Sequence, residues 1–119
     1  QYLKYGTSSA ESTTLSFWVR SNKTGTYVIQ LLNGAVSRQV GKTYTISSAD
    51  TWEKKTITFP GDTSTALDND NTAELYVQFC LGTGTDRSSG TLSSTWKSYA
   101  AADQFAGQTV NLADSTSNE

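Results

Sequence analysis

Two segments constrain the fold more than any others: Leu15-Ser16-Phe17-Trp18-Val19-Arg20 and Leu75-Tyr76-Val77-Gln78-Phe79-Cys80. In each, apolar residues recur at every second position. That is the period at which a β-strand returns its side chains to one face, so both segments read as half-buried strands of a packed sheet. Leu15, Phe17 and Val19 form one face of the first, and Leu75, Val77 and Phe79 one face of the second. The opposite faces carry Ser16, Trp18, Arg20 and Tyr76, Gln78, Cys80. Aromatic rings beside amides and a guanidinium suit a binding surface better than a core.

The rest of the chain carries the same signature. Tyr27, Ile29 and Leu31 alternate with Val28, Gln30 and Leu32, and Ile57 and Phe59 oppose Trp52, Thr56 and Thr58. Strands are expected at Tyr2-Lys4, Thr13-Ser21, Thr26-Leu32, Val36-Val40, Lys42-Ile46, Trp52-Phe59 and Glu74-Leu81, with a short last one at Gln108-Leu112. Asn33-Gly34 is the strongest hairpin signal, and Pro60 stops its strand because proline cannot continue a ladder. Trp96-Tyr99 is a weaker segment, and Ala100-Phe105 suits one helical turn. Short strands with turn signals about every 8–12 residues predict an all-β antiparallel sandwich of about eight strands, of jelly-roll type. A length of 119 residues suits a single such domain spanning 1–119.

Composition narrows the function. A net charge of −2 argues against nucleic-acid binding, which calls for a basic patch. No apolar run approaches the roughly 20 residues of a membrane span, so no membrane insertion is expected. Cys80 is the only cysteine, which rules out an intrachain disulfide and suggests a buried, inert thiol. The chain has no histidine, removing His-based triads, Cys-His dyads and most zinc sites. The acids fall almost all in loops, none in an apolar setting that would raise a pKa, so paired-carboxylate catalysis is not expected. The absence of methionine, even at position 1, suggests a piece of something longer.

Two groups of residues could hold a ligand. Asp68, Asp70 and Glu74 place carboxylates at spacings Ca²⁺ accepts, although the loop lacks an EF-hand's glycine and distal glutamate and reads first as an Asx-rich turn. A structural Ca²⁺ is the cofactor that set would suit. Trp18, Arg20, Gln30, Tyr76 and Gln78 are the more serious group. Sugar rings stack their C–H faces on Trp or Tyr while Arg and Gln pair the hydroxyls, provided the strands are neighbours. Covering of Trp18 and Trp52 by loops or another subunit is the competing expectation.

Longer phrases carry a family likeness. Leu15–Tyr27, Gly41–Ile46, Gly90–Trp96 and Asn111–Thr116 contribute, and Thr51-Trp52-Glu53-Lys54-Lys55-Thr56-Ile57-Thr58-Phe59-Pro60-Gly61-Asp62 is the most specific. Across nearly its whole length the chain resembles the jelly-roll, carbohydrate-binding-module-like domain of bacteriophage tail-fibre and other virion structural proteins. The resemblance implies a non-enzymatic virion component that takes part in host attachment. Its partners would be other virion subunits, in a homo-oligomer, and a cell-surface glycan. It carries no set of binding residues with it. It also implies a further aromatic, β-branched strand beyond Asn118-Glu119, so a fragment lacking its final strand is expected. The alternatives are a carbohydrate-binding module of a secreted polysaccharide-degrading enzyme and a purely structural assembly domain.

Overall fold

The computed structural model describes residues 2–33, 37–68 and 70–114. Among them are six strands: β1 (Thr13–Val19), β2 (Gly25–Asn33), β3 (Arg38–Ile46), β4 (Glu53–Phe59), β5 (Leu75–Phe79) and β6 (Lys97–Ser98). They form two antiparallel sheets, one of order β1-β4 and one of order β5-β2-β3-β6. The chain is therefore all-β, with six strands where turn spacing suggested about eight.

The difference has local causes. At Tyr2-Lys4 the chain turns instead of extending, because Lys4 (φ 52°) and Gly6 (φ 80°) take left-handed conformations. The expected break at Gly41 does not occur, and β3 runs through it. Gly41 lies opposite Gln30 on the outward face, where a Cβ would stand 2.3 Å from Leu92 Cδ1. The missing side chain is what lets the C-terminal segment close over the sheet. At Gln108-Leu112 a side chain substitutes for a ladder rung. Gln108 Oε1 accepts from Val28 N at 2.7 Å while its Nε2 donates to Cys80 O at 3.1 Å, and no strand forms. The Asn33-Gly34 turn falls on residues 34–36, outside the described residues.

The two sheets pack through one alternating face of each strand. Tyr27, Ile29, Leu31, Val40, Tyr44 and Ile46 from the wider sheet meet Ile57 and Phe59 of β4, with Leu15, Phe17 and Val19 of β1 packed against them. Phe17 stands edge-on to Tyr44 at 5.2 Å and to Phe79 at 5.0 Å. Each large side chain removed from water here contributes about 1.5–3 kcal/mol. The other face of the wider sheet is covered as well. Val28, Gln30 and Leu32 are buried there beneath a C-terminal segment that contributes Leu92, Gln104 and Ala106. Cys80 is buried, and its burial pushes the thiol pKa up, keeping it protonated.

A buried carboxylate ties the sheets together at one end. Asp62 follows β4 and is fully enclosed. Its Oδ2 accepts from Arg38 Nε at 2.6 Å and from Asn33 Nδ2 at 3.0 Å, and its Oδ1 from Ser64 N at 3.0 Å. Its backbone oxygen accepts from Gly6 N at 2.8 Å. Burial alone would raise the carboxyl pKa. The Arg38, Ser64 and Asn33 hydrogen bonds outweigh that and hold it below its ordinary value. Gly61 beside it has no room for a side chain, since a Cβ would meet Ala10 C and Glu11 O at 2.6 Å.

Asp62→Ala is expected to destabilise the fold by about 3–5 kcal/mol, because it strands the half-buried Arg38 guanidinium without its partner. Urea unfolding followed by tryptophan fluorescence measures this, and a loss under about 1 kcal/mol would refute the role given to the pair.

Candidate functional site

The residues expected to make one surface are divided by the topology. β1 pairs with β4, while β5 pairs with β2 in the other sheet. Trp18 and Arg20 therefore lie on the outer side of one sheet, and Gln30, Tyr76 and Gln78 on the outer side of the other. Gln30 is only 1% exposed. Its Nε2 donates to Gln78 Oε1 at 2.7 Å, and Gln104 Nε2 donates to the same oxygen at 3.4 Å. Gln104 Oε1 in turn accepts from Arg87 Nη1 and from the Tyr99 hydroxyl. These glutamines fasten the C-terminal cover to the sheet, and Gln30 is out of a ligand's reach. Tyr76 remains partly exposed on β5.

The acidic loop brings two of its carboxylates, Asp70 and Glu74, to the Thr72 hydroxyl. Asp70 Oδ1 accepts from Thr72 N at 2.7 Å and from Thr72 Oγ1 at 2.6 Å, and those bonds lower its pKa. The Thr72 hydroxyl also lies 3.1 Å from Glu74 Oε1. Asp68 is exposed, and Asn69 lies outside the described residues. Among the described residues no three His, Cys, Asp or Glu side chains are placed to share a metal ion. The loop has the geometry of an Asx turn.

What the structure does assemble is an open face on the β1–β4 sheet. Antiparallel pairing sets Thr14 opposite Thr58, Ser16 opposite Thr56 and Trp18 opposite Lys54. The hydroxyls of the first two pairs lie 2.9 and 3.4 Å apart. Trp52 comes directly before β4, with the strand parity of Lys54 and Thr56. Trp18 is 62% exposed and Trp52 63%. Diagonal neighbours across an antiparallel pair stand about 7–8 Å apart, within reach of one flat ligand.

Of the cations on this face, Arg20 is held in place. Arg20 Nε donates to Asp50 O at 3.0 Å, and Arg20 Nη2 reaches Asp50 Oδ1 at 3.4 Å. Asp50 takes a left-handed conformation (φ 58°), which aspartate tolerates, and its N donates to Ser21 O at 2.9 Å. Beneath, Glu53 fixes the β3–β4 connection. Its Oε2 accepts from Lys55 Nζ at 2.6 Å, and its Oε1 from Ser48 N and Ser47 N at 2.9 and 2.8 Å. The Lys55 hydrogen bond first, then those from the backbone, draw its pKa down to about 2. Lys54 projects to solvent beside Trp18, while Lys55 turns inward to Glu53. Trp52 and Lys54 are the members of this face that sequence reasoning left out of the site. Only the β1–β4 register reveals them, although the clean alternation of Trp52–Phe59 already put both on the outward parity.

The described residues enclose no pocket. A ligand of this face would be engaged on an open, nearly flat surface of two indoles, a guanidinium, an ammonium and a ladder of hydroxyls. In comparisons with known families, proteins and solved structures, nothing matches this chain.

Two expectations follow from this geometry. Glu53 has a folded pKa near 2 against an ordinary 4.5, so its contribution is complete above pH 4.5 and fades as pH falls toward 2. Thermal unfolding between pH 7 and 2 should show Glu53→Gln less stable than the parent at neutral pH, with the two converging in acid. Parallel curves would contradict this. For the acidic loop, Asp68→Asn combined with Asp70→Asn should change the melting temperature equally with Ca²⁺ and with chelator. A loss seen only with Ca²⁺ would restore the metal.

Proposed function

We propose that this chain is a non-enzymatic glycan-binding module, a jelly-roll-type sandwich from a phage fibre or other virion structural protein. Its location would be the extracellular particle, and its partners other virion subunits and a host-surface glycan. The observation that carries the binding part is the pair of indoles, each more than 60% exposed, on one sheet face beside Arg20 and Lys54. Exposing two tryptophans to water is unfavourable by the apolar area involved, and neither is needed to fill the core. Tryptophan faces stack on the C–H faces of pyranose rings, while the guanidinium, ammonium and threonine hydroxyls pair ring hydroxyls or acidic substituents. The parentage rests on the sequence resemblance, whose most specific phrase, Thr51–Asp62, supplies Trp52, Lys54 and the buried Asp62.

The site proposed is Trp18, Arg20, Trp52 and Lys54, with Thr56 at its border. An open surface of this size binds weakly in a single copy, and repetition on a particle would raise its avidity by orders of magnitude.

The test is a multimerised form of the chain screened on an array of bacterial and algal glycans. Reproducible binding that is lost at least tenfold in both Trp18→Ala and Trp52→Ala is expected. Both variants should unfold within about 0.5 kcal/mol of the parent, as surface substitutions do. Binding that survives both replacements, or silence across the array, would refute the site.

A further inference from the structure

The outward face of the narrow β1–β4 sheet carries a charge that the rest of the molecule leaves unpaired. β4 opens with three successive ionised residues, Glu53, Lys54 and Lys55. Glu53 and Lys55 share the inward parity and pair with each other, Oε2 to Nζ, at 2.6 Å. Lys54 has the opposite parity, is set across from Trp18 and is exposed. Among the described residues the ion pairs take up Lys4, Arg20, Arg38, Lys55 and Lys97, and Lys54 is in none of them. The outward side chains of the paired strands are Thr14, Ser16 and Trp18 on β1 and Lys54, Thr56 and Thr58 on β4, with no carboxylate. Asp50 lies beside them, but its backbone oxygen and Oδ1 are both bonded to Arg20. Arg20, Asp50 and Lys54 together leave one positive charge, on a chain whose net charge is −2.

A lysine on an edge strand commonly does no more than keep other strands away. At this edge Glu53 and Lys55 already serve that end, because charged residues that point inward cannot be carried into a longer sheet. What distinguishes Lys54 is its neighbour. Residues directly opposite in an antiparallel pair hold their Cβ atoms about 4.5–5.5 Å apart, so the lysine stem stands beside the Trp18 indole. Among the described residues neither Trp18 nor Trp52 touches another ring. Indole face and ammonium are therefore available together. A pyranose lying on an indole turns its C–H face to the ring and its substituents sideways. An acidic substituent then projects at the rim of the sugar, within reach of a lysine on the adjacent strand.

We infer that the glycan of this face is an acidic one, whose carboxylate or sulfate pairs with Lys54 while a sugar ring stacks on Trp18. The inference rests on the glycan-binding reading above and names the ligand class within it. A compact ammonium pairs carboxylate and sulfate alike, so Lys54 selects for charge and not for one acid. The guanidinium, the group shaped to grip a planar carboxylate with two donors, is committed to Asp50. An exposed ion pair changes affinity only about two- to fivefold, so the indoles supply most of the binding and Lys54 sorts acidic from neutral sugars. It also offsets, at the point of landing, the repulsion between a polyanion and a net negative chain. That effect acts within a screening length of about 8 Å at physiological salt.

The test measures binding of the multimerised chain to uronate-bearing polysaccharides, to the same polymers with their carboxylates reduced to alcohols, and to sulfated galactans. One or both acidic sets should bind about threefold or more tighter than the reduced polymers, and which of them binds distinguishes carboxylate from sulfate. Lys54→Gln should erase that preference with the circular dichroism unchanged. Salt at about 1 M, where screening shortens to about 3 Å, should erase it in the parent. Lys4→Gln removes the same charge beside Glu11 and should leave the preference intact. Equal binding to acidic and reduced polymers, or a preference that survives Lys54→Gln, would overturn the inference. Losses in Trp18→Ala and Trp52→Ala would in that case still uphold the glycan module. Silence on all three sets and across the array would overturn both.

Discussion

The fold depends on Asp62 being charged and enclosed at the junction of both sheets. Its two oxygens bind Arg38 at the start of β3, Asn33 at the end of β2 and Ser64 in the loop that leaves β4. A carboxylate without water is tolerable only when such donors replace its hydration. Two of those donors are cross-strand partners at the turn end of the β2–β3 hairpin, so the loop after β4 has one place to sit. Gly6 N adds the N-terminal segment to the same point, and Asn33 Nδ2 also donates to Thr65 O at 3.0 Å. Hydrophobic burial supplies most of the favourable free energy but is non-directional. The register of one sheet over the other needs a directional contact, and this cluster provides it.

From that register follow the two faces of the wider sheet. Its inner face is covered by β1 and β4 where they reach it, and left open at β5 where they do not. Its outer face is closed by residues that come after β5, with Gly41 making space for Leu92 and the Gln30–Gln78–Gln104 contacts locking the cover down. A face carrying buried amides is stable only if each amide has a partner. The polar residues on that outer face therefore became structural once a cover reached them. The narrow sheet has no such cover, and its outer side remains the place where tryptophans meet solvent.

Much of this was legible in the sequence, and the limit of legibility has a physical origin. Period-two alternation groups Leu15, Phe17 and Val19, then Tyr27, Ile29 and Leu31, then Ile57 and Phe59, each on one face of its strand; the last five are in the core and the first three pack against it. Alternation describes a strand by itself, however, and cannot say which strands become neighbours. Trp18 and Tyr76 have the same parity signal, yet one side chain belongs to each sheet. Gln30 and Gln78 looked like ligand-pairing amides because nothing local distinguishes an amide awaiting sugar from one awaiting Gln104. Asp62 read as a turn residue after Pro60 for the same reason: its partners lie 24 and 29 residues away along the chain. Gln108 has the sequence setting of a strand residue, yet its side chain, not its backbone, completes the ladder beside Val28.

The two apolar surfaces left exposed differ in what could satisfy them. On the outer face of the narrow sheet the open chemistry consists of indoles with cations and hydroxyls around them. A ligand there needs C–H faces and polar substituents but no peptide groups. At the β5 edge, Val77 and Phe79 sit beside unpaired main-chain groups, a combination that calls for apolar side chains and peptide groups together. The two surfaces therefore do not compete for a ligand.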